Sequence, residues 1–206
     1  ASDAVFVKAD LLDHAAPARI IAAAEALGPI AVLINNVGGN ASAGHFAESD
    51  PDGWEDDLDI NLKTTLRMTR TVLPGMIEHK AGRIVNIGST AGIVGDYTLP
   101  IYSTAKAAVH GFTKILAKEV GQHGITVNCV APYATMARDP EAFSAGSRFN
   151  PERGFFQELF AGASAEDAAK RPRKTVLAAP MAQPEDVSGL VVFLASARAG
   201  FITGQV

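Results

Sequence analysis

Ile101-Tyr-Ser-Thr-Ala-Lys106-Ala-Ala-Val-His-Gly-Phe112-Thr-Lys-Ile-Leu116-Ala-Lys-Glu-Val120, followed after a turn by Ile125-Thr-Val-Asn-Cys-Val130, is the stretch from which the fold is read. Ala105, Ala108, Val109, Phe112, Ile115, Leu116 and Val120 recur at three- and four-residue spacing, which predicts an amphipathic helix over 101–121. The short β-branched run after it predicts a strand. On such a helix Tyr102 and Lys106 share a face, because side chains at i and i+4 are neighbours. An ammonium beside a phenol lowers the cost of the phenolate, whose unperturbed pKa is about 10. Tyr102 is therefore a candidate general acid/base. A pair of this kind is equally the mark of a surface tyrosine one turn from a solvated lysine, and only context decides between the two.

Working outward, the same alternation recurs. Val5-Phe-Val7 reads as a short strand, and residues 15–27 as a helix with Ile20, Ile21, Ala24 and Leu27 on its apolar stripe, stopped by Gly28-Pro29. Residues 30–34 are continuously apolar, as expected of a parallel strand buried on both faces, and end in Asn35-Asn36-Val37-Gly38-Gly39. A long helix is predicted over 54–80, with Pro74-Gly75 as the place for a kink. Residues 83–87 form the next strand, ending in Gly88-Ser89-Thr90. A last helix opens at Pro184, with Val187, Leu190, Val191 and Leu194 facing inward, and another strand begins at Gly204. Strands alternating with helices of this length imply parallel βαβ units in an α/β doubly wound sheet, a single domain over 1–206. Residues 137–180 break the rhythm. Their Phe155, Phe156, Leu159 and Phe160 cluster suggests a lid over a substrate.

Composition narrows the classes. With 48% hydrophobic and 19% charged residues, the chain has the makings of a packed core rather than of a disordered polymer. A formal charge of −4 with no long basic stripe argues against nucleic acid as a partner. No apolar run approaches a membrane span, and the one cysteine, Cys129, lies in a strand-like run as a small buried hydrophobe; both fit a cytoplasmic protein.

Ligands of an open parallel sheet bind beyond the carboxyl ends of its strands. Here those ends carry Asn35 to Gly39, Gly88 and Ser89, and Pro132 and Tyr133, and the Tyr102 helix begins a short loop after Ser89. Ser89 is placed to donate a hydrogen bond to a substrate oxygen while Tyr102 exchanges a proton, a pairing suited to carbonyl–alcohol chemistry. Gly38 and Gly39 allow a flat ligand such as a dinucleotide close to the backbone, although a plain strand-to-loop turn would use the same glycines. Hydrolysis is the rival chemistry, but Gly88-Ser89 lacks the Gly-x-Ser-x-Gly pattern and none of the five histidines is placed for a triad.

Taken together, these residues resemble the classical short-chain dehydrogenases/reductases. Asn35-Asn36-Val37-Gly38 is similar to that family's Asn-Asn-Ala-Gly, Asn61 to its helix asparagine, and Ser89, Tyr102 and Lys106 to its catalytic serine and Tyr-x-x-x-Lys. Asp10 resembles its adenine-contacting aspartate, with Leu11 beside it. The resemblance implies a Rossmann-type fold and an NAD- or NADP-dependent oxidoreductase that interconverts a secondary alcohol and a ketone, such as a 3-oxoacyl thioester or a cyclic alcohol. It implies Tyr102 as proton donor or acceptor, Lys106 lowering its pKa and holding the nicotinamide ribose, Ser89 orienting the carbonyl and Asn61 sustaining a water-linked proton relay. Asp10, Leu11, Asn36, Val37, Gly38, Pro132 and Thr135 would join Tyr102 and Lys106 in holding the cofactor, with no metal. Relatives imply a homotetramer or dimer built through the helices at 54–80 and 101–121. Two positions depart from the family: Tyr133 stands where a glycine is usual, and Ala137 where a threonine is. They keep open a second reading, a nucleotide-sensing protein of the same fold without turnover. The family's first two strands and glycine-rich turn have no counterpart here, so the expectation is that these 206 residues are part of a longer chain.

Overall fold

The computed structural model describes residues 4–137, 139, 141 and 181–206. The lid expected at 137–180 falls outside the described residues except at 137, 139 and 141. In chain order the elements are α1 (Ala16–Glu25), β1 (Val32–Asn35), α2 (Trp54–Leu58), a π-helical turn (Asp59–Lys63), α3 (Thr64–His79), β2 (Gly82–Ile87), α4 (Ala91–Val94), α5 (Pro100–Val120), β3 (Ile125–Val130) and α6 (Pro184–Ala195). Residues up to Ala131 together with Leu190–Val206 form one compact unit, and Pro132–Gly189 forms a second.

In the first unit the strands lie in the order β1-β2-β3, all parallel, with Asn35 opposite Asn86 and Asn86 opposite Cys129. Parallel neighbours need a crossover, and α3 and α5 supply the two. The core lies between the sheet and these helices. Leu33, Ile84 and Val127 pack there with Met68, Val72 and Met76 of α3 and Leu116 and Val120 of α5. Burying each such side chain is worth about 1.5–3 kcal/mol. Residues 203–205 are hydrogen-bonded along the outer edge of β3: Gly204 N donates to Val127 O (2.7 Å) and Cys129 N to Gln205 O (2.8 Å). The strand expected to begin at Gly204 is not formed: residues 204–206 lie against β3 without strand conformation, while Cys129 is buried as expected.

Four other expectations need correction. Val5-Phe-Val7 is not a strand; it has no strand partner among the described residues, and Phe6 is 89% exposed. A short β-prone run takes up strand conformation only where a neighbour supplies the ladder. The strand expected over 30–34 is Val32–Asn35, and it alternates rather than being buried on both faces, with Val32 38% and Ile34 46% exposed on the face turned away from the core. The helix over 54–80 is interrupted, but at Asp59–Lys63; Pro74 sits inside α3 without ending it. Pro74 and Arg70, whose carbonyl the proline leaves without its helical donor, are both exposed, so solvent can take that carbonyl. In α6, Leu194 is buried but Leu190 is 49% exposed.

A buried amide chain ties the layers together. Asn35 Nδ2 donates to Asn86 Oδ1 (2.8 Å) and to Thr69 Oγ1 of α3 (3.0 Å), and Asn86 Nδ2 donates to Thr113 Oγ1 of α5 (2.9 Å). Each amide in this apolar interior thereby has partners, the condition for burying it at all.

Candidate active site

Asn61 sits in the π-helical turn, where its side chain shares a carbonyl with the helix backbone. Its Nδ2 donates to Asp57 O (2.9 Å), a carbonyl at the position that the Asn61 backbone amide would use in a regular α-helix, and at the end of the turn Thr64 N donates to Asp59 O, five residues back. The same Nδ2 donates to Gly39 O (2.7 Å), and Oδ1 accepts from Gly39 N (3.0 Å). Asn61 therefore clamps the loop after β1. Asp57, one turn earlier and fully buried, clamps its continuation: its carboxylate accepts from Ala41 N (2.6 Å), Ser42 N (3.2 Å) and Ser42 Oγ (2.7 Å).

Lys106 comes to the same place from α5. It is 4% exposed, and Nζ donates to Ile87 O (2.9 Å) at the end of β2. Burial pulls its pKa from an ordinary 10.5 down to about 8. Gly38 separates this ammonium from Asn61: a Cβ there would lie 2.8 Å from Asn61 Oδ1 and 3.0 Å from Lys106 Nζ. Only a glycine lets the three meet.

Tyr102, half-buried, lies one turn before Lys106, with Nζ 5.8 Å from the ring centroid. Burial is the largest influence on the phenol and pushes its pKa up; a hydrogen bond with the Ser89 side chain works in the opposite direction, and Asp96 and Asp57 add to the rise. The lowering expected from the Lys106 ammonium is not among these influences, and Tyr102 is held as the neutral phenol. Ser89 Oγ accepts from Ala91 N (3.1 Å), which leaves its own proton for Tyr102 or another oxygen.

The predicted residues divide into those drawn together and those that stand elsewhere. Gly38, Asn61, Ser89, Tyr102 and Lys106 gather at the carboxyl ends of β1 and β2. Asn36 and Val37 are exposed at the end of β1. Asp10 and Leu11 precede α1, where Asp10 Oδ1 accepts from Leu12 N (2.9 Å) and Leu11 packs on the core. Pro132 and Thr135 belong to the second unit, where Thr135 bridges Ala182 and its hydroxyl donates to Tyr133 O (3.4 Å). Among the described residues no His, Cys, Asp and Glu cluster suits a metal ion, and no helix is long and apolar enough to cross a membrane.

Residues 1–142 match the sequence profile described as short chain dehydrogenase. The chain belongs to this family. Its fold is accordingly the Rossmann-type α/β fold, of which β1, β2 and β3 are the parallel strands described above. The chain is 35% identical over 178 residues to the 3-oxoacyl-[acyl-carrier-protein] reductase FabG of Vibrio harveyi, covering 86% of this chain and 64% of that one. It is 34% identical over 205 residues to the acetoacetyl-CoA reductase of Acinetobacter sp., covering 99% and 74%. It is also 35% identical over 201 residues to the inactive 2-(S)-hydroxypropyl-CoM dehydrogenase 2 of Xanthobacter autotrophicus, covering 97% and 80%. The chain thus spans 64% to 80% of the length of these relatives.

Two members of the cluster escaped the sequence reading. His110 is buried beside Lys106, and Asp57 beside Asn61. The signal for both was spacing: Tyr102, Lys106 and His110 follow at intervals of four, as do Asp57 and Asn61, giving polar stripes on helices whose other faces are apolar.

Proposed function

We propose that the protein is an NAD(P)-dependent oxidoreductase that interconverts a secondary alcohol and a ketone, with 3-oxoacyl thioesters as the leading substrates. The carrying observation is the buried Lys106 ammonium, anchored on Ile87 O one turn from a Tyr102 that is hydrogen-bonded to Ser89. An ammonium has three N–H donors, and Ile87 O accounts for one, so the donor set fits the hydroxyls of a nucleotide ribose. Lys106 and Tyr102 would hold that ribose, the Asn36 to Gly38 backbone would lie along the cofactor, and Asp10 would meet its base. A bound nicotinamide supplies hydride chemistry to a carbonyl carbon. The chain's own part is protonic. Ser89 donates to the carbonyl oxygen and fixes its direction, Tyr102, kept neutral by burial, delivers the proton, and Lys106 stabilises the phenolate left behind. The clamp of Asn61 on Gly39 holds the β1 loop beside Lys106. The names of two relatives support thioesters of 3-oxo acids as substrates.

A second reading, nucleotide binding without turnover, has one observation in its favour: a relative named as inactive, matched over 97% of this chain. Both readings are compatible with a cytoplasmic homo-oligomer; Ile93, Val94 and Ile115 leave apolar surface exposed on α4 and α5. The deciding experiment follows nicotinamide absorbance with NADH and NADPH against 3-oxoacyl thioesters and cyclic ketones, for the wild type and Tyr102→Phe. Turnover by the wild type that falls at least about 10²-fold in the variant is expected. Tight nucleotide binding with no turnover on any substrate would replace this reading with the second.

A further inference from the structure

His110 lies one turn beyond Lys106 on α5, is 5% exposed, and has no part in the chemistry above. Its surroundings are built around an imidazole. The Ser89 backbone N–H donates to His110 Nε2 (3.4 Å), and the ring also hydrogen-bonds the Gly92 backbone. Gly92 N in turn donates to Ser89 O (3.0 Å), so the ring stands across the turn that carries the Ser89 hydroxyl. Two glycines make room for it. A Cβ at Gly88 would strike His110 Nε2 and lie 2.7 Å from Cys129 Sγ; one at Gly92 would lie 2.8 Å from His110 Cε1 and 2.6 Å from Ala107 N. A position wedged between two obligatory glycines is specified by shape, and an acceptor aimed at the amide of the serine is specified by chemistry.

We propose that His110 is a positioning residue for Ser89: its neutral ring accepts the Ser89 amide hydrogen and thereby sets where the Ser89 hydroxyl meets Tyr102. This rests on the oxidoreductase reading for its catalytic consequence, and on geometry alone for its structural part. Because the amide donates to Nε2, the neutral ring carries its proton on Nδ1. Protonation of Nε2 would turn the acceptor into a second donor facing the Ser89 N–H, and the turn would have to move. The groups around the ring oppose that protonation. Burial is the largest influence lowering the pKa of His110, the Lys114 and Lys106 ammoniums one turn to either side add to it, and the Gly92 backbone alone acts the other way. On β3 the Cys129 thiol approaches the same Gly88 position as the ring and is itself kept protonated by burial, its pKa pushed up to about 11.

The test uses the full chain. Nitrogen-detected histidine spectra at pH 7.5 should show His110 as the Nδ1–H tautomer, and the Ser89 amide shift should move together with His110 protonation as the pH falls below 6.5, the ordinary histidine value. In kinetics, His110→Leu should lower kcat about tenfold with the nucleotide KM within about twofold, the loss of one oriented hydrogen bond. His110→Gln, which restores an acceptor, should recover most of kcat and lose the His110 limb of the acid pH profile. An Nε2–H tautomer, or a Ser89 amide indifferent to His110 titration, would overturn the proposal whether or not the variants fold. So would a His110→Leu protein with unchanged kcat. A wild type without turnover would sink the oxidoreductase reading instead, and the tautomer would still decide whether His110 holds Ser89.

Discussion

Replacing Lys106 with methionine should make the protein more stable while abolishing its proposed activity. The ammonium is buried at the end of β2, and its pKa falls from 10.5 to about 8. At about 1.4 kcal/mol for each pKa unit, the charged side chain costs the folded state about 3 kcal/mol at neutral pH. Below pH 8 both folded and unfolded chains carry the proton, and the folded chain bears this cost in full. Between 8 and 10.5 only the unfolded chain keeps the proton, so the wild type gains stability as pH rises and the cost vanishes above 10.5. Methionine fills similar volume without charge but gives up the bond to Ile87 O, worth about 1 kcal/mol. The net gain of about 2 kcal/mol at pH 7 corresponds to a Tm higher by about 4–8 °C for a chain of this size. At pH 9.5 the advantage should fall to nearly nothing. Calorimetry of both proteins at the two pH values checks this. A Lys106→Met protein no more stable than the wild type at pH 7, or an advantage independent of pH, would refute the account of Lys106 as a costly buried charge.

Other expectations follow from the same geometry. Asn86→Ala removes the link between Asn35 and Thr113 and leaves a cavity, and should cost about 2–4 kcal/mol in urea unfolding. Gly38→Ala puts a methyl between Asn61 Oδ1 and Lys106 Nζ; nucleotide affinity by fluorescence titration should fall at least about tenfold, the effect of losing one good hydrogen bond. Asp57→Asn replaces an acceptor oxygen with a donor facing Ala41 N or Ser42 N and should cost about 1–3 kcal/mol, with faster amide exchange confined to residues 40–42.

What could be read from the sequence was what local periodicity encodes. The apolar spacing of 101–121 and the β-branched 125–130 became α5 and β3 nearly to the residue, because a helix face and a buried strand each impose their own period. Ser89, Tyr102 and Lys106 could be grouped because topology brings the carboxyl ends of neighbouring parallel strands together. What could not be read depended on partners far along the chain. Val5-Phe-Val7 has the residues of a strand but no neighbour among the described residues, and Val32 and Ile34 look core-like until one asks what covers them. The break in the long helix was sought at Pro74, the usual local signal, whereas it falls at the turn that holds Asn61, whose side chain donates to Gly39 O and Asp57 O. His110 and Asp57 were overlooked because a polar residue on a helix gives no local sign that it is buried.

The π-helical turn at Asp59–Lys63 also fixes the rotational phase between the two halves of the long helix. Each residue of an α-helix advances the side chains by about 100°, so the one extra residue in this turn offsets α2 from α3 by that much. One half can thus direct Asp57 and Asn61 at the loop after β1 while the other directs Met68, Val72 and Met76 at the sheet. Two faces that a straight helix could not present together are combined in a single rod. The alignment of loop and core is carried by one residue of surplus length, so a single deletion there would pull the Asn61 and Asp57 clamps away from residues 39–42 without altering any side chain of the core.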